Sequence, residues 1–263
     1  MTFFAGKLVL ITGASSGIGA AAALDFGRLG SKLILVARRE DRLKEIAVRI
    51  QNAGGNAWIF PCDLSAPRAR EELIADLFER NDIPDILVNN AGYGNSRPFL
   101  EETPADVARM MEVNYLAAAQ LMSAFLPKMI SRGSGAIVNI VSTAGRVAVP
   151  DLAAYCATKF ALCALTEAVS YEIAGSGVTI HLVAPGPVET EFFSAGIWKG
   201  RIAKRKAAAR EVSAAMLDAV RKNRLITYVP RRRGYLVYAF QLLAPLARWA
   251  LRRRAASRKK SGK

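Results

Sequence analysis

The chain has 263 residues, 52% of them hydrophobic, with 37 Lys and Arg against 22 Asp and Glu. A chain of this length can bury a substantial core, so we expect one main domain. Its three cysteines, Cys62, Cys156 and Cys163, lack metal-site spacing and form no even set, which excludes a disulfide framework and predicts free thiols and no bound metal. The first apolar run begins within a few residues of Met1, so we expect no secretory signal before it and a cytoplasmic location.

Short apolar runs alternate along the chain with longer stretches of helical periodicity. Such runs are typical of parallel strands, and the helices between them cover both faces of the sheet. The sequence therefore predicts an α/β fold with a doubly wound parallel sheet. The predicted strands are residues 8–12, 33–37, 57–61, 86–90, 136–141, 178–184 and 225–229.

A glycine-rich turn follows the first predicted strand. Residues 12–19 read Thr-Gly-Ala-Ser-Ser-Gly-Ile-Gly and open a helical stretch at 20–29. Glycine lets the backbone turn tightly and approach a pyrophosphate, and the amino terminus of a helix offers free N–H groups to it. This order of strand, turn and helix predicts a dinucleotide site. The candidate residues are Gly13, Ser15, Ser16, Gly17, Ile18 and Gly19.

The end of the second predicted strand bears on the choice of dinucleotide. Where NAD is preferred, an acidic residue about 20 positions after the glycine turn binds the ribose 2′-hydroxyl. Here the strand ends at Ala37 and continues into Arg38 and Arg39. Two guanidinium groups suit a 2′-phosphate, so the sequence favours NADP(H). The alternative for Arg39 is an ion pair with Glu40 or Asp41.

Tyr155 and Lys159 stand four residues apart, and Ser142 precedes the tyrosine by thirteen positions. On a helix this spacing places the phenol and the ammonium on one face. An ammonium about 4 Å from a phenolate is worth roughly 4 kcal/mol at an effective dielectric near 20. That energy is enough to lower the pKa of a phenol from about 10 towards 7 and make it a general acid/base. Taken alone, the pair is weak evidence, because the same spacing arises often by chance on an ordinary helix surface.

Further motifs accompany the pair. Asp63-Leu64, the run from Asn89 to Gly92, and Asn114 precede it, and residues 185–190 (Pro-Gly-Pro-Val-Glu-Thr) follow it. In type, order and spacing the whole set resembles the short-chain dehydrogenase/reductase family over about residues 5–192. The resemblance implies a Rossmann-type fold, which we place in a single domain at residues 1–230, and assembly as a homodimer or homotetramer.

The resemblance also implies roles for individual residues. Tyr155 would transfer the proton of the substrate oxygen, Ser142 would position the carbonyl, and Lys159 would act electrostatically and bind the ribose. Asn114 would belong to a water-linked proton relay. The cofactor would be bordered by Asp63 and Leu64 at the adenine, by Asn90, Ala91 and Gly92 at the ribose, and by Val188 and Thr190 at the nicotinamide amide, with Pro185 and Gly186 in the same motif.

The segment that follows these motifs bears on the substrate. In the family it closes over the substrate, and the resemblance places this lid at about residues 188–215. Its aromatic residues Phe192, Phe193 and Trp198 predict an apolar pocket, although aromatic loop residues also pack on the body of a domain. We expect an apolar ketone or alcohol, such as a 3-oxoacyl, steroid-like or sphingoid-type compound. The only histidine, His181, lies in a predicted strand, where a buried and hydrogen-bonded side chain is expected rather than a catalytic base.

The positive charge is concentrated at the carboxyl end of the chain. Residues 221–263 contain fourteen Lys and Arg and no Asp or Glu, so the rest of the chain is nearly neutral. Within this end, arginine triplets flank an apolar stretch at 234–251. Its 18 residues of helix would reach about 27 Å, short of the roughly 30 Å of a hydrocarbon core, and Pro245 and Arg248 interrupt it.

We therefore predict a C-terminal helical extension, residues 231–263, that lies on an anionic membrane surface rather than crossing the membrane. The alternative is a last helix that packs on the domain or on a neighbouring subunit. Nucleic acid is disfavoured as a partner, because no base-reading motif accompanies the arginines.

Together these features predict an NADPH-dependent carbonyl reductase, reversible as an alcohol dehydrogenase. Two other classes stay open: a non-catalytic protein that senses NADPH and docks through its basic tail, and a scaffold at a membrane surface. The presence of Asn114, Ser142, Tyr155 and Lys159 argues against the sensor, because a sensor needs no proton chemistry. The scaffold predicts that removal of residues 231–263 abolishes function while catalysis is dispensable.

Overall fold

The computed structural model describes residues 2–189 and 206–246, together with residues 249 and 253. The strands are β1 (Leu8–Thr12), β2 (Lys32–Ala37), β3 (Asn56–Pro61), β4 (Ile86–Asn89), β5 (Gly135–Ile140), β6 (Val178–Pro185), β7 (Val188–Glu189), β8 (Ala207–Ala208) and β9 (Ile226–Val229). The helices are α1 (Gly17–Arg28), α2 (Glu40–Asn52), α3 (Pro67–Glu79), α4 (Pro104–Met111), α5 (Ala117–Arg132), α6 (Ala153–Glu172), α7 (Ala209–Arg221) and α8 (Arg232–Leu242). A π-helical turn, Glu112–Leu116, joins α4 to α5.

The predicted doubly wound parallel sheet is confirmed. Its strand order is β3-β2-β1-β4-β5-β6-β9, with every pair parallel. All seven predicted strands are present, and their ends differ from the prediction by at most one residue. The chain winds outward from β1 to β3, then returns to place β4 on the other side of β1. This reversal leaves a crevice at the carboxyl ends of β1 and β4, where such sheets bind ligands.

Helices cover both faces of the sheet. On one face α1, α2 and α7 bury Phe26, Leu43 and Met216 in a shared core. On the other face α3 and α5 bury Leu73 and Phe125. Because both faces are covered, the central strands carry almost continuous apolar side chains, which is why they were recognisable from the sequence.

The cysteines are free thiols and the histidine is buried, as the sequence predicted. All three cysteines are free and buried. His181 is fully buried in β6, and its ring nitrogens lie 2.9 Å from the Arg224 carbonyl oxygen and 2.9 Å from the Thr179 Oγ1. Both hydrogen-bonding positions of the ring are therefore occupied, away from the crevice.

The segment after β6 has a different end from the one predicted for the lid. Residues 209–215 belong to α7, which buries Val212 and Met216 against the sheet, so a lid would have to end before Ala209. The aromatic residues Phe192, Phe193 and Trp198 lie outside the described residues. Among the helices that the structure describes, none is both long and apolar enough to cross a lipid bilayer.

Candidate active site

A cavity of about 600 Å³ opens at the carboxyl ends of the central strands. Most residues predicted for the site line it: Gly13, Ser15, Ser16, Gly17, Ile18, Arg38, Arg39, Asp63, Leu64, Asn90, Ala91, Gly92, Ser142, Tyr155, Lys159, Pro185, Gly186 and Val188. Gly19 and Asn114 are buried behind its wall. Thr190 lies outside the residues that the structure describes.

The glycine-rich turn is tied to the end of the neighbouring strand. The Thr12 hydroxyl accepts hydrogen bonds from the backbone N–H groups of Asn90 (2.9 Å) and Ala91 (3.0 Å). The Asn90 side chain in turn donates to the Thr12 carbonyl (2.9 Å). Gly13 has a φ of 65°, and a Cβ on Gly19 would lie 2.3 Å from the Gly13 oxygen. Side chains at these glycines would therefore break the contact between the two strand ends.

The first turn of α1 faces this cavity. Its N-cap residue is Ser16, whose side chain makes no capping hydrogen bond. The N–H groups of the first turn are not satisfied within a helix, so they are suited to hold the oxygens of a pyrophosphate.

The cationic end of the cavity is formed where β2 stops. Ala37 ends the strand, and the exposed side chains of Arg38 and Arg39 line the cavity beyond it. Arg39 donates to the Ser15 hydroxyl (3.3 Å), whereas Glu40 pairs with Lys44 (2.7 Å). Arg39 thus reaches back over the glycine-rich turn. The donors present fit a dinucleotide with a 2′-phosphate, as the sequence predicted.

Arg109 is a cavity residue that the sequence did not reveal. It comes from α4, and its guanidinium lies 3.7 Å from the Asp63 carboxylate. Burial tends to raise the pKa of Asp63, but hydrogen bonds from Ser65 and the charges of Arg38 and Arg109 hold that pKa below its usual value. Asp63 is therefore ionised and flanked by two cations.

Ser142, Tyr155 and Lys159 form one wall of the cavity. Tyr155 and Lys159 lie on α6 and are 5% and 3% exposed. The Ser142 hydroxyl accepts a hydrogen bond from the Ala144 N–H (3.1 Å) and lies near enough to Tyr155 to lower the pKa of its phenol. The Lys159 ammonium donates to the Ile140 carbonyl (3.0 Å) and lies 6.0 Å from the centre of the Tyr155 ring. The predicted shared helix face is therefore confirmed.

The predicted electrostatics of the pair are wrong in sign. Burial raises the pKa of Tyr155 above its ordinary value, and the nearby Ser142 hydroxyl offsets this only in part. Burial also lowers the pKa of Lys159 to about 8. Desolvation of the phenolate, which disfavours the charged form, is the largest cause of the raised pKa of Tyr155. In the protein chain itself, Tyr155 is a neutral phenol that can donate a proton.

Asn114 lies in the π-helical turn and is 1% exposed. Its carbonyl oxygen accepts from the Tyr93 N–H (2.9 Å), and its amide donates to the Tyr93 carbonyl (2.8 Å) and the Thr158 hydroxyl (3.0 Å). The Thr158 hydroxyl donates to the Tyr155 carbonyl (2.8 Å). The side chain of Asn114 thus fixes the loop after β4 to the helix of Tyr155, and its place in a proton relay stays a prediction.

Buried Arg70 of α3 joins the cofactor side of the cavity to the same π-helical turn. It donates to the Leu64 carbonyl (2.7 Å) and to Gln120 (2.6 Å), and it pairs with Glu112 (2.9 Å). No short motif marks this residue, because two of its three partners, Glu112 and Gln120, are distant from it in the sequence.

Two loops flank the mouth of the cavity above Tyr155. The first follows β4 and brings Gly94 against the Tyr155 ring, where an added Cβ would lie 2.9 Å from the ring. The second precedes α6. Their backbones are joined by a hydrogen bond from the Arg97 N–H to the Asp151 carbonyl (2.9 Å). The ring of Tyr155 is therefore covered, which explains its burial.

Comparison with known proteins agrees with this geometry. The sequence pattern of the family described as "short chain dehydrogenase" matches residues 7–197. A fatty acyl-CoA reductase of Mycobacterium tuberculosis is 44% identical over 177 residues, which are 66% of this chain and 60% of that protein. The chain therefore matches less than two thirds of that relative's length.

Two solved structures share the fold over most of their length. A short-chain dehydrogenase from Sphingobium yanoikuyae in complex with NADPH superposes with a TM-score of 0.81 at 32% identity, covering 91% of this chain and 95% of that one. A "bulky-bulky ketone specific" alcohol dehydrogenase from Comamonas testosteroni gives a TM-score of 0.77 at 28% identity, covering 91% and 94%. The chain belongs to the short-chain dehydrogenase/reductase family.

Proposed function

We propose that this protein is an NADPH-dependent oxidoreductase that reduces the carbonyl group of an apolar substrate and can run in reverse as an alcohol dehydrogenase. The observation that carries the proposal is the buried wall of Ser142, Tyr155 and Lys159. It stands in the same cavity as the glycine-rich turn and the arginines at the end of β2. One cavity thus offers both a dinucleotide site and a proton donor.

The choice of NADP(H) rests on the cationic end of the cavity. Arg38 and Arg39 offer two guanidinium groups to a 2′-phosphate, and the acidic residue that would repel a phosphate is replaced by Ala37. The NADPH complex of the Sphingobium relative supports the same choice. When bound, the cofactor supplies the hydride.

The protein's own part in the reaction is positioning and proton transfer. The Ser142 hydroxyl would hold the substrate oxygen next to the Tyr155 hydroxyl, and Tyr155, which is protonated in the buried wall, would donate its proton to that oxygen. Lys159 has a pKa of about 8, so it carries its positive charge at neutral pH and would stabilise the phenolate left behind. The same groups acting in reverse would take the proton from an alcohol.

The substrate is proposed to be apolar. Two similar proteins support this proposal: one is named a fatty acyl-CoA reductase and the other a bulky-bulky ketone specific alcohol dehydrogenase. Reduction of a long-chain acyl thioester is a second candidate beside a ketone, and the 44% identity to the acyl-CoA reductase favours it. Steroid-like, 3-oxoacyl and sphingoid-type ketones remain in the range to test.

We further propose that the enzyme works in the cytoplasm, as a homodimer or homotetramer, with its carboxyl end at a membrane surface. The assembly rests on the family resemblance. The location rests on the free, buried cysteines and on the basic carboxyl end.

The test is oxidation of NADPH and NADH with a panel of apolar ketones and acyl thioesters. We expect turnover with NADPH, and we expect Tyr155→Phe to lower kcat by about a thousandfold, because general acid catalysis contributes about 10²–10⁴-fold. Binding of NADP⁺, followed by calorimetry, should persist in this variant. Tyr171→Phe is the matched control, since Tyr171 lies on the same helix and is 68% exposed.

Tight NADPH binding without turnover on any substrate would instead favour the non-catalytic sensor. Full activity of Tyr155→Phe would remove the proposed proton donor and with it the mechanism.

A further inference from the structure

The outer side of α8 is apolar, which reverses the usual pattern of a surface helix. Tyr235, Leu236 and Leu242 are 78%, 67% and 84% exposed, whereas Gly234 and Val237 are buried. At about 100° per residue, Tyr235 and Leu242 point away from Val237, the side chain that packs on the domain. A surface helix ordinarily turns its apolar stripe inward and its charges outward.

The apolar surface continues beyond α8. Leu243, Leu246 and Trp249 are all more than half exposed, at 56%, 65% and 56%. The Arg253 guanidinium lies 4.4 Å from the centre of the Trp249 ring. We call the exposed apolar side chains the outer face; it consists of Tyr235, Leu236, Leu242, Leu243, Leu246 and Trp249.

The surroundings of the outer face are strongly basic. Four cations at the end of α7 and the start of α8 share a single carboxylate, Asp218; they are Arg221, Lys222, Arg224 and Arg231, at 2.7–3.7 Å. Exposed Arg232 follows them. From residue 221 onward the sequence contains no acidic residue. Apolar side chains bordered by an excess of cations over carboxylates are the pattern of a helix that lies in the headgroup region of an anionic bilayer.

We propose that the outer face binds the surface of an anionic phospholipid membrane, with the aromatic and leucine side chains in the headgroup region and the arginines on the lipid phosphates. A second copy of the chain is the less favourable occupant, because it would bring two carboxyl ends of the same high positive charge together. The inference rests on the membrane location proposed above, and it names the residues that make the contact and the class of lipid that they bind.

The first experiment is cosedimentation of the full-length protein with vesicles of phosphatidylcholine, alone or mixed with phosphatidylglycerol. We expect binding to the mixed vesicles to be about tenfold or more tighter, and to weaken as salt is raised. The combined substitutions Leu236→Glu and Leu242→Glu should lower the vesicle affinity by about tenfold or more. Val48→Glu, a half-exposed apolar position on α2, is the matched control and should leave the affinity unchanged.

The charge component is tested separately. Arg232→Glu should reduce binding to the mixed vesicles, and Arg49→Glu, with the same change of net charge on exposed α2, should have a smaller effect. The chain has three tryptophans, so replacing Trp58 and Trp198 by phenylalanine leaves Trp249 as the only reporter. Its emission should shift to shorter wavelength on the mixed vesicles, because the indole leaves water.

Three results would overturn the proposal: equal binding to both vesicles, unchanged affinity of the double variant, or an unshifted Trp249. Light scattering measures the molar mass of the protein's assembly in solution. If the double variant had a smaller assembly than the unsubstituted protein but bound vesicles equally well, the outer face would be assigned to a subunit interface instead. Turnover of a water-soluble ketone without vesicles reports on the catalytic site alone. Loss of vesicle binding with turnover intact therefore separates this proposal from the reductase activity.

Discussion

The cavity and the outer face of α8 are built by opposite rules. At the carboxyl ends of the strands, polar side chains such as Asn114, Thr158 and Lys159 are buried and hydrogen-bonded to one another or to backbone. On α8, leucines and tyrosines stand in the open. Buried polar groups hold a geometry, because each lost partner leaves an unsatisfied group. Exposed apolar side chains do not fix the geometry of a site. If they have a role, it comes from a partner that binds over them.

The sharpest way to test the first rule is to remove the amide of Asn114. Asn114→Ala should lower the free energy of unfolding by about 2–4 kcal/mol. The backbone of Tyr93 and the hydroxyl of Thr158 would lose their hydrogen bonds to the Asn114 side chain inside the domain. Urea denaturation followed by circular dichroism measures this. Asn52→Ala, at the exposed end of α2, should change it by less than about 0.5 kcal/mol. Equal losses at both positions would refute the structural role.

A smaller effect is expected at the cationic end of the cavity. Arg38→Ala should weaken NADP⁺ binding by about tenfold, or about 1.4 kcal/mol, and leave NAD⁺ binding nearly unchanged, since only NADP⁺ carries the 2′-phosphate. Arg109→Ala should weaken both cofactors by the same modest factor, because Arg109 contacts Asp63 at the proposed adenine end. Titration calorimetry with both cofactors measures the two ratios. If both variants lost affinity for NADP⁺ but not for NAD⁺, Arg109 would be a ligand of the 2′-phosphate.

The buried histidine makes the stability of the fold depend on pH. Burial lowers the pKa of His181, so below about pH 6.5 the unfolded chain binds a proton that the folded chain does not. The free energy of unfolding should therefore fall by about 1 kcal/mol as the pH is lowered from 7.5 to 5.5. His181→Asn should remove that slope. It is the only histidine, so a slope that persists would have to come from another class of residue.

The least costly change is expected on the outer face. Leu242→Glu should alter the free energy of unfolding by less than about 0.5 kcal/mol, because the side chain is 84% exposed. Val237→Ala on the packed side of the same helix should cost about 1–2 kcal/mol. Thermal denaturation of the pair, without lipid, measures the difference. A large loss from Leu242→Glu would mean that the outer face is covered within the protein's own assembly.

The fold and most of the site could be predicted from the sequence because their signals are local. Apolar runs mark the strands, and the glycine-rich turn and the Tyr155–Lys159 spacing each occupy one short segment. Arg109 and Arg70 could not be predicted, since their partners meet them only in the folded chain. The pKa of Tyr155 was predicted in the wrong direction for the same reason: the loop that covers its ring is distant in sequence.

The bond between Arg97 and Asp151 has a consequence for how this enzyme can change over evolution. It joins the two loops at the mouth of the cavity through main-chain atoms alone. Nearly any side chain at residue 97 leaves that bond intact, with proline as the exception, because it lacks the N–H. The side chain at residue 97 can therefore vary while the joint persists, whereas Gly94 in the same loop has no room for a larger side chain against the Tyr155 ring. Point substitutions at the mouth of the cavity can therefore change its side chains while the backbone bond between the two loops is kept.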